Sequence, residues 1–227
     1  MEKPIIIANW KMSKPKEGIS SWFDAIEKDL LNKELALIIC PPFPYLKDVQ
    51  SEISRRNLSS ICFLGAQDVS PFSDDPKHTG SVSAKDLKDF NVKYVIIGHS
   101  ETRTDEKLTG DDVNAKIANA LSSDILPVVC ISNNKQLESL DSDYSGLIAY
   151  EPLEAIGSDH PQDPNTVSDF CKSVGEMFPQ VTILYGGSVN GDNIQNYLNL
   201  DLISGVLIGN NSSNSNFLRS ILSKYSK

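Results

Sequence analysis

The sequence has few of the features that mark membrane proteins, secreted proteins or metalloproteins. No apolar run approaches the length needed to cross a membrane, and the N-terminus lacks the charged-then-apolar pattern of a signal peptide. The cysteines have no CxxC or CxxH spacing, which argues against a zinc site and favours buried, reduced thiols. They are Cys40, Cys62, Cys130 and Cys171. We therefore expect a soluble cytoplasmic protein without a resident metal.

Positive charge is also scarce. There are 21 Lys and Arg against 30 Asp and Glu, which gives a formal net charge of −9 and a pI of about 4.8. A surface of this sign repels phosphate polymers and anionic lipids, so the composition predicts neither a nucleic-acid partner nor a membrane partner. A small anionic substrate would have to be attracted by positive charge placed locally.

What the sequence does contain is a regular succession of short apolar segments. They are continuously apolar rather than alternating, which is typical of parallel strands covered on both faces. The runs are Ile5–Ala8, Leu35–Cys40, Ile61–Ala66, Val92–Ile97, Ile125–Ile131, Leu147–Tyr150, Val181–Tyr185 and Gly205–Ile208. The spacing leaves room for a helix after most of them, and for only a short one in Ser132–Gly146.

Several of the connecting segments have helical periodicity. Apolar stripes at three- and four-residue steps cover Ile19–Leu30, Val167–Met177 and Phe217–Tyr225. Asn165 and Asn214 are candidate N-caps for the last two helices.

Strand–helix alternation repeated eight times predicts an α/β fold, a (β/α)₈ barrel in a single domain over residues 1–227. An open doubly wound sheet is the alternative. In a barrel, the residues directly after each strand gather at one rim, where such enzymes keep their chemistry. Those that would meet here are Lys11, His99, Glu151 and the glycine-bearing turns at 186–188 and 209–211.

Glu151 is the residue around which this rim is organised. It ends an apolar strand, and Pro152, which has no N–H, cannot continue the ladder. The partly apolar segment after it ends at Gly157, as in a loop that covers a base. Burial under such a cover would raise the pKa of Glu151 toward a value useful for a general base. A solvated glutamate beside an ordinary turn is the alternative.

The other rim residues suit complementary roles. Lys11 would attract an anionic substrate, His99 would donate a hydrogen bond to a carbonyl oxygen, and the glycine-bearing turns would present backbone N–H groups to a phosphate. Taken singly, Lys11 could be a surface lysine and His99 a satisfied core histidine. Together they predict proton abstraction next to the carbonyl of a small phosphorylated compound, and hence an isomerase that needs no cofactor.

At these residues the sequence resembles the triosephosphate isomerase family. The most specific motifs are Ala149-Tyr150-Glu151-Pro152 and Ile97-Gly98-His99-Ser100-Glu101. Further matching motifs, in the family's order, are Asn9-Trp10-Lys11-Met12, Gly65-Ala66-Gln67, the segment 79–84, Tyr185-Gly186-Gly187-Ser188-Val189 and Gly205-Val206-Leu207-Ile208-Gly209. The resemblance implies interconversion of dihydroxyacetone phosphate and D-glyceraldehyde 3-phosphate, a step of glycolysis and gluconeogenesis.

The resemblance also implies a role for each site residue. Glu151 looks like the base that moves the proton, His99 like the neutral electrophile, and Lys11 like the cation that faces the substrate. Asn9 looks like a hydrogen-bond donor on the carbonyl side, and Glu101 like the partner that holds Lys11. The positions that match the family's phosphate site are Gly157, Ser188, Gly209 and Asn210.

The chain departs from the family's usual pattern around the lid segment that follows Glu151. Leu153-Glu154 stands where the family usually has Val-Trp, Asp159 and Pro161 lie later in the lid, and Asn210 replaces a glycine. Unless Asp159 points outward, its carboxylate would repel a phosphate dianion, so we expect reduced turnover or weaker phosphate binding. A catalytically impaired phosphosugar-binding barrel or scaffold is therefore the alternative function.

Two further expectations concern other chemistry and assembly. An aldolase or epimerase lacks support, because no strand end offers a Schiff-base lysine or a set of metal ligands. The segment Asp68–Ser83 matches the family's loop that enters a neighbouring subunit, where Thr79 would approach Asn9 and Lys11 of the partner subunit. We expect a homodimer, with a tetramer possible. A long solvated loop is the alternative.

Overall fold

The computed structural model of the chain describes residues 3–31, 33–72, 77–155, 158 and 160–224. In this part of the chain, parallel strands close into an eight-stranded barrel in chain order. The predicted (β/α)₈ fold is therefore confirmed, and the open-sheet alternative is wrong. The strands are β1 (Ile5–Asn9), β2 (Ala36–Cys40), β3 (Cys62–Ala66), β4 (Tyr94–Ile97), β5 (Leu126–Ile131), β6 (Leu147–Tyr150), β7 (Thr182–Tyr185) and β8 (Ile203–Ile208).

Helices on the outside of the barrel follow these strands along the chain. They are α1 (Ile19–Leu31), α2 (Leu46–Arg55), α3 (Ala84–Asp89), α4 (Ser100–Asp105), α5 (Gly110–Ser122), α6 (Asn134–Glu138), α7 (Pro164–Met177), α8 (Ile194–Leu198) and α9 (Ser215–Leu222). The three periodic stripes fall on α1, α7 and α9. The short β5–β6 connection holds the five-residue α6, as its length predicted.

One of the two predicted N-caps is correct. Asn214 caps α9, and its side chain accepts a hydrogen bond from the backbone N–H of Phe217 at 3.1 Å. Asn165 does not cap α7, because that helix begins earlier, at Pro164, and Asp163 caps it. Proline suits the first helical position, since its φ is already helical and an N–H there would be unpaired. Tyr225, the last residue of the third stripe, lies outside the described residues.

The strands are covered on both faces, which accounts for their continuous apolar sequences. Outward-facing side chains such as Ile6 and Ala8 pack against the helices in the large outer core. The inward-facing side chains form a separate cluster inside the barrel. Its buried members are Ile7, Ile38, Cys40, Ile96, Val128, Cys130, Leu147, Ala149, Leu184 and Leu207.

Closure of the barrel between β8 and β1 requires a glycine. A Cβ atom on Gly205 would lie 2.0 Å from the carbonyl oxygen of Ile5, so the two backbones approach too closely for any side chain. Next to this contact the β7–β8 register shifts between Ile183 and Leu184. The small residue therefore lets the last strand pair with the first.

The fold also bears on two expectations about the protein's environment. All four cysteines are buried. No helix in the described part of the chain is long and apolar enough to cross a membrane.

Candidate active site

The carboxyl ends of the strands carry the predicted site residues. Asn9 is the last residue of β1, His99 lies two residues after β4, and Glu151 directly follows β6. A cavity of about 340 Å³ opens at this end of the barrel. Its walls include Lys11, His99, Glu151, Ser188 and Gly209 from the predicted set.

A second cavity, of about 360 Å³, opens at the amino ends of β3, β4 and β5. Its lining is mainly apolar, with Phe63, Tyr94 and Leu126 among its walls, and Lys93 and Asp124 carry the charges. The two cavities are similar in volume. The chemistry of their linings distinguishes them, because the carboxylate of Glu151, the imidazole of His99 and the ammonium of Lys11 all line the first.

Glu151 is buried, with 1% of its surface exposed. One carboxylate oxygen, Oε1, lies 3.5 Å from Nε2 of His99, and the other, Oε2, has no hydrogen-bond partner among the described residues. Burial raises the pKa of Glu151 above its usual value, although His99, the buried Cys130 thiol and Lys11 act in the opposite direction. The result is a carboxylate whose second oxygen is unpaired and which binds a proton more readily than an exposed glutamate.

The position of His99 at the start of α4 fixes its tautomer. Its Nδ1 accepts a hydrogen bond from the backbone N–H of Glu101 at 3.2 Å. Because an amide N–H can only donate, Nδ1 carries no proton, and the proton of a neutral ring lies on Nε2. This is the nitrogen that faces Glu151 and the cavity, so His99 presents an N–H donor there.

Lys11 has a left-handed backbone conformation, with φ of 51°, which is uncommon for residues other than glycine. Two polar contacts hold it. Its N–H donates to Oδ1 of Asn9 at 3.0 Å, and its carbonyl accepts from Nε2 of Gln67 at 2.8 Å. The side chain then crosses the mouth of the barrel, and Nζ donates to Oε1 of Glu101 at 2.6 Å. The ammonium therefore belongs to a residue that lines the cavity, and it is paired with the carboxylate of Glu101.

The residues of the predicted phosphate site are only partly described. Ser188 also has a positive φ, of 50°, and its Oγ lies 2.5 Å from the carbonyl oxygen of Ala155 and in contact with that of Ser158. Gly209 lies opposite Lys11, since a Cβ atom there would be 3.4 Å from Cε of Lys11. Asn210 begins a short 3₁₀ turn after β8. Gly157 lies outside the described residues.

The lid segment (153–162) departs from the family pattern in ways that the structure describes in part. Asp159, on which the expected phosphate repulsion depends, lies outside the described residues, so that expectation stays a prediction. Leu153 is exposed, and Glu154 Oε1 accepts a hydrogen bond from Nε2 of Gln162 at 3.3 Å.

The structure adds supporting residues to which the sequence reasoning gave no role. Gln67 bonds to the carbonyl oxygens of both Lys11 and Cys40, and so ties β1 and β2 to the loop after β3. Arg103 donates to the carbonyl oxygens of Gly98 at 2.7 Å and of Cys130 at 3.2 Å, and so joins the ends of β4 and β5. Gln67 and Arg103 lie in or beside the motifs quoted above, but only their hydrogen-bond partners show which strand ends they connect.

Comparisons with known proteins agree with this geometry. The family model for triosephosphate isomerase matches residues 4–225. A curated triosephosphate isomerase of Mesomycoplasma hyorhinis is 36% identical over 233 aligned positions, which cover 92% of this chain and 93% of that protein. Another, from Alkaliphilus oremlandii, is 33% identical over 241 positions, which cover 92% and 94%.

A solved structure supports the same relationship. The crystal structure of triosephosphate isomerase from Bartonella henselae superposes with a TM-score of 0.83. It is 26% identical in sequence, and the match covers 99% of this chain and 100% of that one.

Proposed function

The chain belongs to the triosephosphate isomerase family, and we propose that it interconverts dihydroxyacetone phosphate and D-glyceraldehyde 3-phosphate. The observation that carries the proposal is the placement of three groups around one cavity. Buried Glu151 lies 3.5 Å from Nε2 of His99, and Lys11 lines the same cavity. A base, a neutral hydrogen-bond donor and a cation suit proton transfer next to the carbonyl of an anionic substrate.

In the proposed reaction Glu151 removes a proton from the carbon next to the carbonyl. The electron pair of that C–H bond forms a carbon–carbon double bond, and negative charge develops on the carbonyl oxygen. The Nε2–H of His99 donates to this oxygen and stabilises the enediolate. The proton of the hydroxyl group on the first carbon passes to this oxyanion, so that the carbonyl can form on the first carbon. Glu151 then returns its proton to the neighbouring carbon, which converts the ketose into the aldose. Asn9 is proposed as a second donor on the carbonyl side, and Glu101 as the group that orients Lys11.

We place the phosphate group between the turns after β7 and β8. Ser188 and Gly209 line the cavity, and Lys11 supplies the positive charge that the acidic surface lacks. Gly157 and Asn210 complete the proposed phosphate set by resemblance to the family. Backbone N–H groups in such turns bind phosphate because they are aligned and unpaired.

A coupled assay with glyceraldehyde 3-phosphate tests this function. Wild-type protein should turn the substrate over, and Glu151→Asp should lose at least about a hundredfold in kcat, because the shorter side chain withdraws the base from the carbon. The family assignment does not favour the alternative of a catalytically impaired phosphosugar-binding barrel or scaffold, for which the wild type would show little or no turnover. Absence of turnover in both proteins would refute the proposal.

We further propose that the protein acts in the cytoplasm, as a single barrel domain over residues 1–227, and assembles as a homodimer. The pairing of β1 with β8 supports a single domain, because the first and last strands complete one sheet. Support for a dimer comes from Met12, which directly follows Lys11 and whose side chain is 99% exposed. A neighbouring subunit would remove this apolar side chain from water.

A further inference from the structure

Gln162, at the end of the lid segment, makes hydrogen bonds with all four of its polar groups. Two of these groups belong to the backbone and two to the side-chain amide. Its N–H donates to Oη of Tyr185 at 3.1 Å, its carbonyl accepts from Oη of Tyr197 at 2.7 Å, its Oε1 accepts from Oη of Tyr150 at 2.9 Å, and its Nε2 donates to Oε1 of Glu154 at 3.3 Å.

The three tyrosines form a buried aromatic group beneath Gln162. Tyr150, Tyr185 and Tyr197 are 5%, 0% and 1% exposed. The Tyr185 and Tyr197 rings stack at 4.0 Å between centroids, and Tyr150 lies 6.4 Å from Tyr185. A buried hydroxyl without a hydrogen-bond partner is destabilising, so these contacts favour one position for Gln162.

Two of the tyrosines are next to the proposed base along the chain or in space. Tyr150 directly precedes Glu151, the proposed base, and Tyr185 directly precedes Gly186, which contacts it. The N–H of Gly186 donates to the carbonyl oxygen of Tyr150 at 2.8 Å, and a Cβ atom on Gly186 would lie 2.7 Å from Cγ of Glu151. The ends of β6 and β7 therefore enclose Glu151, and Gln162 bonds to both.

We propose that Gln162 is a positioning residue for Glu151, which holds the base in place through Tyr150 and Tyr185. This inference rests on the proposed isomerase function for its kinetic consequences. The side-chain amide is specific to the task, since it accepts from Tyr150 and donates to Glu154 at the same time. Leucine could do neither, and glutamate would place a second carboxylate against Glu154.

The first test compares Gln162→Leu with Gln195→Leu. Gln195 is a matched control, because its side chain makes one exposed hydrogen bond, to the carbonyl of Lys224. We expect Gln162→Leu to lower kcat about tenfold with KM changed less than about threefold, because a displaced base acts on a normally bound substrate. The acidic limb of its kcat/KM–pH profile should move to lower pH, since water that reaches Glu151 opposes the burial that raises its pKa. Gln195→Leu should match the wild type.

The second test exchanges the two side chains that meet at 3.3 Å. Gln162→Glu alone should impair kcat by like-charge repulsion with Glu154. The double variant Glu154→Gln/Gln162→Glu restores one donor and one acceptor in reversed order, and should recover kcat to within about threefold of the wild type. The inference is wrong if Gln162→Leu retains kcat within twofold, or if the double variant is no better than Gln162→Glu. If Gln162→Leu does not fold, the kcat of the double variant relative to that of Gln162→Glu tests the inference.

A third measurement is independent of activity. The N–H groups of Glu151 and Gly186 donate to the carbonyls of Ile131 and Tyr150, both at 2.8 Å. Their hydrogen exchange, followed by NMR, should be faster in Gln162→Leu and unchanged in Gln195→Leu. If the wild type shows no isomerase activity, the proposed function is wrong. The exchange rates of these two amides would still show whether Gln162 holds the ends of β6 and β7 in place. Unchanged exchange in Gln162→Leu would overturn the inference.

Discussion

At the scale of single residues, the burial of Glu151, which suits its proposed role as a base, lowers the stability of the folded protein. Its pKa is raised in the folded state, so the folded protein binds more protons than the unfolded chain between the two pKa values. Stability therefore falls as the pH rises through this window, and the destabilisation is complete above the folded-state pKa. A neutral side chain of the same shape would avoid this loss of stability.

We accordingly expect Glu151→Gln to abolish isomerase activity and to stabilise the protein at pH 7. A gain of about 1 kcal/mol would raise the thermal midpoint by about 2–4 °C for a chain of this length. Thermal unfolding at several pH values measures the effect, and the difference from the wild type should shrink toward pH 4, where Glu151 is protonated. The exposed Glu138 on α6 is a control, and Glu138→Gln should change little at any pH. A Glu151→Gln protein less stable than the wild type at pH 7 would contradict the argument.

The sequence correctly predicted that Lys11, His99 and Glu151 lie at the carboxyl ends of the strands, but it did not predict the residues that bond to this rim. Lys11, His99 and Glu151 follow apolar runs, so their position at the rim follows from the barrel alone. Gln67 and Arg103 act by bonding to backbone carbonyls of other strands, and no local pattern encodes such a partner. The tautomer of His99 likewise depends on one backbone N–H, that of Glu101.

At the scale of secondary-structure elements, two glycines have opposite roles. Gly205 in β8 lies against the backbone of β1, whereas a Cβ atom on Gly175 in α7 would meet no atom within 4 Å. Glycine inside a helix costs about 0.5–1 kcal/mol relative to alanine, because the unfolded chain has more freedom to lose. One glycine is therefore required by packing, and the other is not.

This difference predicts opposite effects of the same substitution. Gly175→Ala should raise the free energy of unfolding by about 0.5–1 kcal/mol, whereas Gly205→Ala should lower it by about 3 kcal/mol or more, because the backbone of Ile5 cannot move aside. Urea denaturation of both variants, with the slope checked against the wild type, measures the effect. Similar changes in the two variants would show that the β1–β8 contact is looser than the structure indicates.

The helices and strands themselves were largely predictable, because periodicity and apolar runs are local properties. Each predicted strand boundary lies within two residues of the observed one. The N-cap of α7 was assigned to Asn165 instead of Asp163, because both residues are good caps and only the preference of Pro164 for the first helical position separates them.

At the scale of the whole molecule, the proposed dimer would place a second subunit against the surface beside Lys11. Met12 is almost fully exposed next to Lys11, and the segment Asp68–Ser83, only part of which is described, matches the family's loop that enters a neighbouring subunit. If a second subunit packs on Met12, dissociation of that subunit would also disturb Lys11. Dissociation should then reduce activity as well as mass.

We expect Met12→Lys to convert the dimer into a monomer and to lower kcat/KM. Light scattering at micromolar concentration should give about twice 25.0 kDa for the wild type and about 25.0 kDa for the variant. Met177→Lys is the control, because Met177 is 45% exposed on α7, outside the active-site rim, and the substitution should leave mass and activity unchanged. A monomeric wild type would contradict both the dimer and its tetrameric alternative.

The sequence by itself determined the number of strands, their order, the helices between them and the residues at the rim formed by the carboxyl ends of the strands. These features depend on apolar runs, periodicity and position relative to a strand end, all of which are properties of neighbouring residues. Only the tertiary structure decided that β8 meets β1 at Gly205 and that His99 carries its proton on Nε2. It also decided that Glu151 is buried, with one oxygen that no described residue bonds, and that Gln162 bonds to three tyrosines. Each of these depends on contacts across different segments or on the exclusion of water, which exist only once the barrel has closed.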